Sequence, residues 1–147
     1  MQWDMAYRLA DHLREADLRE MHAVSPGESE VSECWESIAS SEECWYAETE
    51  DGELITVWGR LRRPVGKGNI IWCLGTDKVE AYKIPFARRS RRIVREWADK
   101  YGPLMNAVAV KNTLAHDWLA WCGASFSNPF DVNGEPFQSF VIQGKKR

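Results

Sequence analysis

Five arginines stand within eight positions of one another: Arg88, Arg89, Arg91, Arg92 and Arg95. A guanidinium presents paired N–H donors that match a phosphate or carboxylate, so such a cluster suits direct anion binding. It equally suits a solvated or docking face of a helix, and that plainer reading is preferred. The opposite charge lies upstream. Residues 11–53 carry fourteen acids and two bases, a net charge of −12, whereas residues 54–147 carry sixteen bases and seven acids, a net charge of +9. The two regions can attract each other within one fold, or the basic region can face an anion. A run of Glu28, Glu30, Glu33 and Glu36 is able to attract an amine, though charge runs are usually solvated. Cys34, Cys44, Cys73 and Cys122 form no C-x-x-C pair and have no histidine at zinc-ligand spacing, so they read as reduced structural thiols and no metal is expected. No P-loop, G-x-S-x-G, H-E-x-x-H or EF-hand pattern occurs. The net charge of −3 and the lack of a binding motif argue against a nucleic-acid partner.

The elements that must position these residues follow from periodicity. The 147 residues predict one domain, with residues 143–147 as a basic tail. No apolar stretch is long enough to span a membrane, and residues 1–15 carry charges where a signal peptide would be apolar. Residues 5–10 are expected as a short strand, followed by helices over 14–23 and 31–40. Asp51-Gly52 marks a hairpin between 44–47 and 54–58. Residues 60–69 read as a basic connection, and 70–74 as a strand covered on both faces. Ile93, Trp97 and Tyr101 recur every four residues and predict a helix over 85–101, stopped by Gly102-Pro103. A buried strand over 104–110 and a helix from Asn112 to Cys122 come next, with Asn112 well suited to cap the helix start. A final hairpin joins 124–126 to 137–142 through Asn133-Gly134. The sum is a mixed α/β sheet with helices on both faces.

This order resembles the GNAT family of N-acetyltransferases. The likeness is closest where the strand at 104–110 leads into Asn112, Ala115 and Gly123. A narrower resemblance lies in Ser40-Ser41-Glu42-Glu43-Cys44-Trp45, Trp72-Cys73-Leu74-Gly75-Thr76-Asp77 and Phe86-Ala87-Arg88-Arg89-Ser90-Arg91-Arg92. It continues in Trp121-Cys122-Gly123-Ala124 and Gly134-Glu135-Pro136-Phe137. These segments look like the internal virion protein A family of short-tailed phages, itself GNAT-like in organisation.

The GNAT resemblance implies direct acyl transfer from acetyl-CoA. Backbone N–H groups at a strand end polarise the thioester, a Gly-rich turn at a helix start holds the diphosphate, and a tyrosine protonates the leaving thiolate. The implied donor contacts are Leu74, Gly75 and Thr76 at the strand end, with Arg88, Arg89, Arg92 and Asn112. Yet the diphosphate turn, placed at residues 88–93, lacks both glycines, and the tyrosine position holds Leu119. Asp77, Tyr82 and His116 are the substitute acids or bases. These losses favour a catalytically degenerate scaffold. The narrower resemblance then implies a virion-associated assembly protein in the particle or the host cytoplasm, with other phage virion proteins as partners and no cofactor. The alternative is an active acetyl-CoA-dependent N-acetyltransferase acting on a host or phage amine.

Overall fold

A computed structural model describes residues 2–62 and 68–145. The middle of the expected 60–69 connection and the end of the basic tail lie outside the described residues. In chain order the elements are α1 (Gln2–Asp11), α2 (Glu15–Val24), α3 (Glu30–Ser40), β1 (Glu43–Glu48), β2 (Leu54–Arg62), β3 (Asn69–Gly75), α4 (Lys83–Tyr101), β4 (Leu104–Ala109), α5 (Thr113–Trp121), β5 (Ala124–Phe126), β6 (Phe130–Val132) and β7 (Glu135–Ile142).

The strands form one mixed sheet in the order β1-β2-β3-β4-β7-β5, with β6 also pairing β7. Helices cover both faces. Ala6, Leu9, Met21, Cys34 and Ile38 from α1–α3 pack with Leu54 and Val57 on one side. Val94, Trp97, Trp118 and Leu119 from α4 and α5 pack with Trp58, Ile71 and Phe140 on the other. Aromatic rings tie this second core together, with Phe86 set edge-on to Trp58 at 5.2 Å and 5.6 Å from Trp118.

The start of the chain corrects the reading of residues 5–10 as a strand: they are helical. Met5-Ala6 and Leu9-Ala10 repeat at four-residue spacing, Ala6 and Leu9 are fully buried, and α1 holds no β-branched residue. The basic connection also begins later than expected, because β2 runs on to Arg62. Arg60 is buried within it, bonding Asn69 Oδ1 and Glu42 Oε1 (both 2.8 Å), with its guanidinium 3.7 Å from the Tyr101 ring centroid. At the end of the chain, Asn133-Gly134 turns β6, rather than β5, into β7, with both residues at positive φ.

Gly59 lets Trp72 cross β2. A Cβ there would lie 2.7 Å from both Trp72 Nε1 and Ser41 Oγ, which are hydrogen-bonded to each other. Gly59→Ala is expected to lower stability by about 1–3 kcal/mol through overpacking, read as a reduced urea midpoint at unchanged slope.

Candidate active site

β3 and β4 run parallel but pair only at Asn69↔Leu104 and Ile70↔Met105. Beyond that point they diverge. Asn106 sits at the fork, donating from Nδ2 to Ile71 O (2.9 Å) and accepting from Ala107 N at Oδ1 (2.8 Å). The register with β2, in which Thr76 N–H donates to Ile55 O, turns the main-chain groups of Trp72 and Leu74 toward β2. Those of Ile71, Cys73 and Gly75 therefore face β4. Gly75 N–H donates to a side chain of α2, so the N–H and C=O of Cys73 are left along the fork with no strand opposite.

Helix α2 straps the open end. Asp17 Oδ2 accepts from Gly75 N on the β3 arm (2.8 Å). One turn on, Glu20 Oε1 accepts from Ala109 N on the β4 arm (2.7 Å). Asn112 Nδ2 joins the two carboxylates, at 3.0 Å from Asp17 Oδ1 and 3.1 Å from Glu20 Oε1. Arg14 completes the cluster, 3.3 Å from Asp17 and 3.4 Å from Asn112 Oδ1. Burial pushes Asp17 above the usual carboxylate range, although Arg14 and the Gly75 N–H oppose the rise. Glu20 is pushed up to about 7, again by burial, with the bonds from Ala109 and Asn112 opposing. The two differ in what remains free. Both oxygens of Asp17 accept hydrogen bonds, whereas Glu20 Oε2 has no partner among the described residues.

Two cavities meet at this strap. One, of about 260 Å³, lies toward α4 and α5 and is lined by Val79, Lys83, Ile84, Phe86, Leu114 and Trp121. The other, of about 210 Å³, lies toward α2 and α3 and includes Glu20, Met21, Glu33, Trp72, Leu74 and Phe137. Asp17, Cys73, Ala115 and Trp118 line both, so the fork joins the two sides.

The residues expected to do chemistry are only partly gathered here. Gly75 is at the fork, and Leu74 lines the α2/α3 cavity. The Thr76 N–H goes to Ile55 O, and its hydroxyl goes to Leu54 O and Ile55 O. Asn112 is central, and it also caps α5 by accepting from Ala115 N (3.4 Å). The substitute acids and bases do not reach either cavity. Asp77 is exposed beyond the strand end, with its N–H given to His12 O (3.2 Å). Tyr82 is exposed where α4 begins. His116 points to β5, its ring stacked on Phe126 at 4.4 Å, and its Nε2 is buried without a partner. Leu119 is core.

Arg88, Arg89 and Arg92 stand within α4, not at its start, and are exposed. The turn between β3 and α4 is residues 76–82, which also contain no glycine. Of the four thiols, Cys34 and Cys122 are buried, Cys44 is exposed on β1, and Cys73 lies at the fork; all four are free. Burial raises the Cys73 thiol to about 12, which keeps it neutral.

No protein-family model matches the chain, and no curated protein matches it in sequence. Solved structures do match. Aminoglycoside 6′-acetyltransferase type Ii superposes with a TM-score of 0.64 at 16% identity, covering 96% of this chain and 92% of that one. A GNAT-family acetyltransferase from Bacillus anthracis gives 0.61 at 9% identity, covering 96% and 90%. Spermidine N-acetyltransferase from Vibrio cholerae, in complex with CoA and spermine, gives 0.56 at 20% identity, covering 89% and 92%. The fold is that of the GNAT acetyltransferases, and at these identities the likeness is one of fold.

Proposed function

We propose that this chain transfers an acyl group from a pantetheine thioester to a small primary amine. One observation carries the reading: the main chain of Cys73, with no strand opposite, lies where two cavities meet, and Glu20, with one free oxygen, lines one of them. The α4/α5 cavity receives the thioester arm, which supplies an activated carbonyl. The Cys73 N–H is the donor left to polarise that carbonyl, in a cavity whose walls include Trp118 and Phe86. The α2/α3 cavity, with Glu20 and Glu33 among apolar walls, receives the amine. Glu20 Oε2 takes the amine proton, since a base of about 7 is matched to neutral pH. The N–C bond forms and the C–S bond breaks. Leu119 offers no proton, so the sulfur leaves as thiolate and is protonated by water. The GNAT fold of the neighbours, among them enzymes named for spermidine and aminoglycoside acetylation, supports this reading. A virion-assembly role, in the particle or the host cytoplasm, stands on the sequence segments alone and has no support from the comparisons.

S-acetylpantetheine, the smallest donor bearing the whole arm, provides the test. Thiol release should depend on both protein and amine across a panel of small primary amines. Release at the uncatalysed rate with every amine would sink the reading.

A further inference from the structure

The nucleotide end of a CoA donor finds no seat where this fold would place it. Of the seven N–H groups in residues 76–82, five are already bonded: Thr76 to Ile55 O, Asp77 to His12 O, Lys78 to Thr76 Oγ1, Val79 to Thr76 O and Tyr82 to Val79 O. Pro85 removes a further donor from the first turn of α4, and the turn holds no glycine to let phosphate approach the backbone closely. The α4/α5 cavity of about 260 Å³ is open to a pantetheine arm, but the turn leaves few N–H donors for a diphosphate.

What surrounds the cavity mouth suits a protein surface. Ile84 and Trp121 line it and are 62% and 56% exposed. From Ile84 the residues at four-residue spacing are Arg88 and Arg92, which form one exposed stripe leading away from the mouth, about 6 Å per step. Arg89 flanks it. None of these three arginines has an ion pair or hydrogen bond among the described residues. The other arginines whose side chains are described are held: Arg8, Arg14, Arg19 and Arg60 pair with acids, and Arg91 and Arg95 bond carbonyls at the end of α5 and beyond β7. The chain's own acids are concentrated upstream of β2, on the elements that include the opposite helical layer.

We propose that the physiological donor is a thioester on the phosphopantetheine arm of an acidic carrier domain, which docks on the Ile84–Arg88–Arg92 stripe while its arm enters the α4/α5 cavity. This rests on the acyl-transfer reading above. A carrier supplies the single phosphate and the arm without the nucleotide diphosphate, and its acids meet the unpaired cations. The bonds made and broken are those already given, with the thiolate left on the carrier's arm.

The test compares three donors with the full chain and one amine: S-acetylpantetheine, acetyl-CoA and an acetyl-loaded acidic acyl carrier protein. Binding of the holo-carrier and of CoA is titrated in parallel, so docking is decided even if no amine is acylated. The carrier should give a kcat/KM at least tenfold above acetyl-CoA, with an advantage that shrinks as salt rises. The triple variant R88E/R89E/R92E should lower the carrier's kcat/KM at least tenfold relative to that of S-acetylpantetheine, and weaken holo-carrier binding to match. Acetyl-CoA performing as well as the carrier, or no saturable binding of the holo-carrier, would overturn the proposal. Loss of CoA and carrier turnover to the same extent would also overturn it, by showing that the arginines read phosphates rather than a protein. Failure with S-acetylpantetheine would count against the acyl-transfer reading itself, separately from the choice of donor.

Discussion

Replacing Glu20 with Gln is expected to lower kcat for amine acylation by about 100- to 1,000-fold, the span in which a positioned general base usually acts. The amide keeps the Oε1 acceptor for Ala109 N and Asn112 Nδ2, so the strap stays in place while the basic oxygen is lost. Two pH signatures separate this from a packing defect. Wild-type rate should rise with pH through about 7 and level off, whereas the residual rate of Glu20→Gln should lack that step. Stability should move the other way. The Glu20 carboxyl is raised from 4.5 to about 7 in the folded state, so the fold holds this proton more tightly than the unfolded chain does. Its stabilising contribution is complete below pH 4.5 and is lost as pH rises through 7, an effect of up to about 3 kcal/mol. Asp17 is shifted in the same direction and adds to the same slope. Glu20→Gln removes its own share, so the variant should melt above wild type at pH 8 and alongside it at pH 4. An inactive protein that is more stable at alkaline pH is the expected result. Unchanged kcat would remove Glu20 from the mechanism.

The strands and helices around the fork were legible because each carries one strong period. The continuous apolar run at 70–74 is β3, and the four-residue recurrence of Ile93, Trp97 and Tyr101 is α4. Asn112 was recognisable as a cap from its residue type. Residues 5–10 are helical and not a strand because the apolar pairs Met5-Ala6 and Leu9-Ala10 recur at four-residue spacing, which places them on one helix face. The site itself was mostly hidden. Asp17 and Glu20 are two of fourteen acids in an acidic stretch, and nothing local marks them as buried. Asp17 is held by Gly75, 58 residues away, and Glu20 by Ala109, 89 residues away. Their one local trace is that Asp17 lies four residues before Met21, on the apolar side of α2. The place of the arginines on their helix was hidden for a related reason. The helix begins at Lys83, ahead of Pro85, which places Arg88–Arg92 past the first turn, where no phosphate turn can form. The free main chain of Cys73 is a property of strand pairing that stops at Ile70, and no residue type announces it.

Replacement of Asn112 should carry the largest cost in stability, because one side chain serves four partners: Asp17, Glu20, Arg14 and the Ala115 N–H. Asn112→Ala removes the α5 cap, a loss of about 1 kcal/mol. It also withdraws the N–H donor shared by two buried carboxyl groups, adding about 2 kcal/mol at pH 8, where Glu20 is charged. At pH 5 Glu20 is protonated and holds the amide less strongly, so the second share should fall below about 1 kcal/mol. Asn112→Ser separates the two contributions, since serine caps a helix as well as asparagine but is too short to bridge Asp17 and Glu20. Urea unfolding at both pH values should therefore place the serine variant with wild type at pH 5 and well below it at pH 8, with alanine lower in both. A serine variant as stable as wild type at pH 8 would mean that the bridge contributes nothing and that Asp17 and Glu20 hold the fork separately. If the bridge does contribute, its loss frees Asp17 from its tie to Glu20 and lets the arms of β3 and β4 move apart. The same variant should then raise KM for the amine more than it lowers kcat, because the Glu20 oxygen that takes the proton is still present while the walls that place the amine are looser.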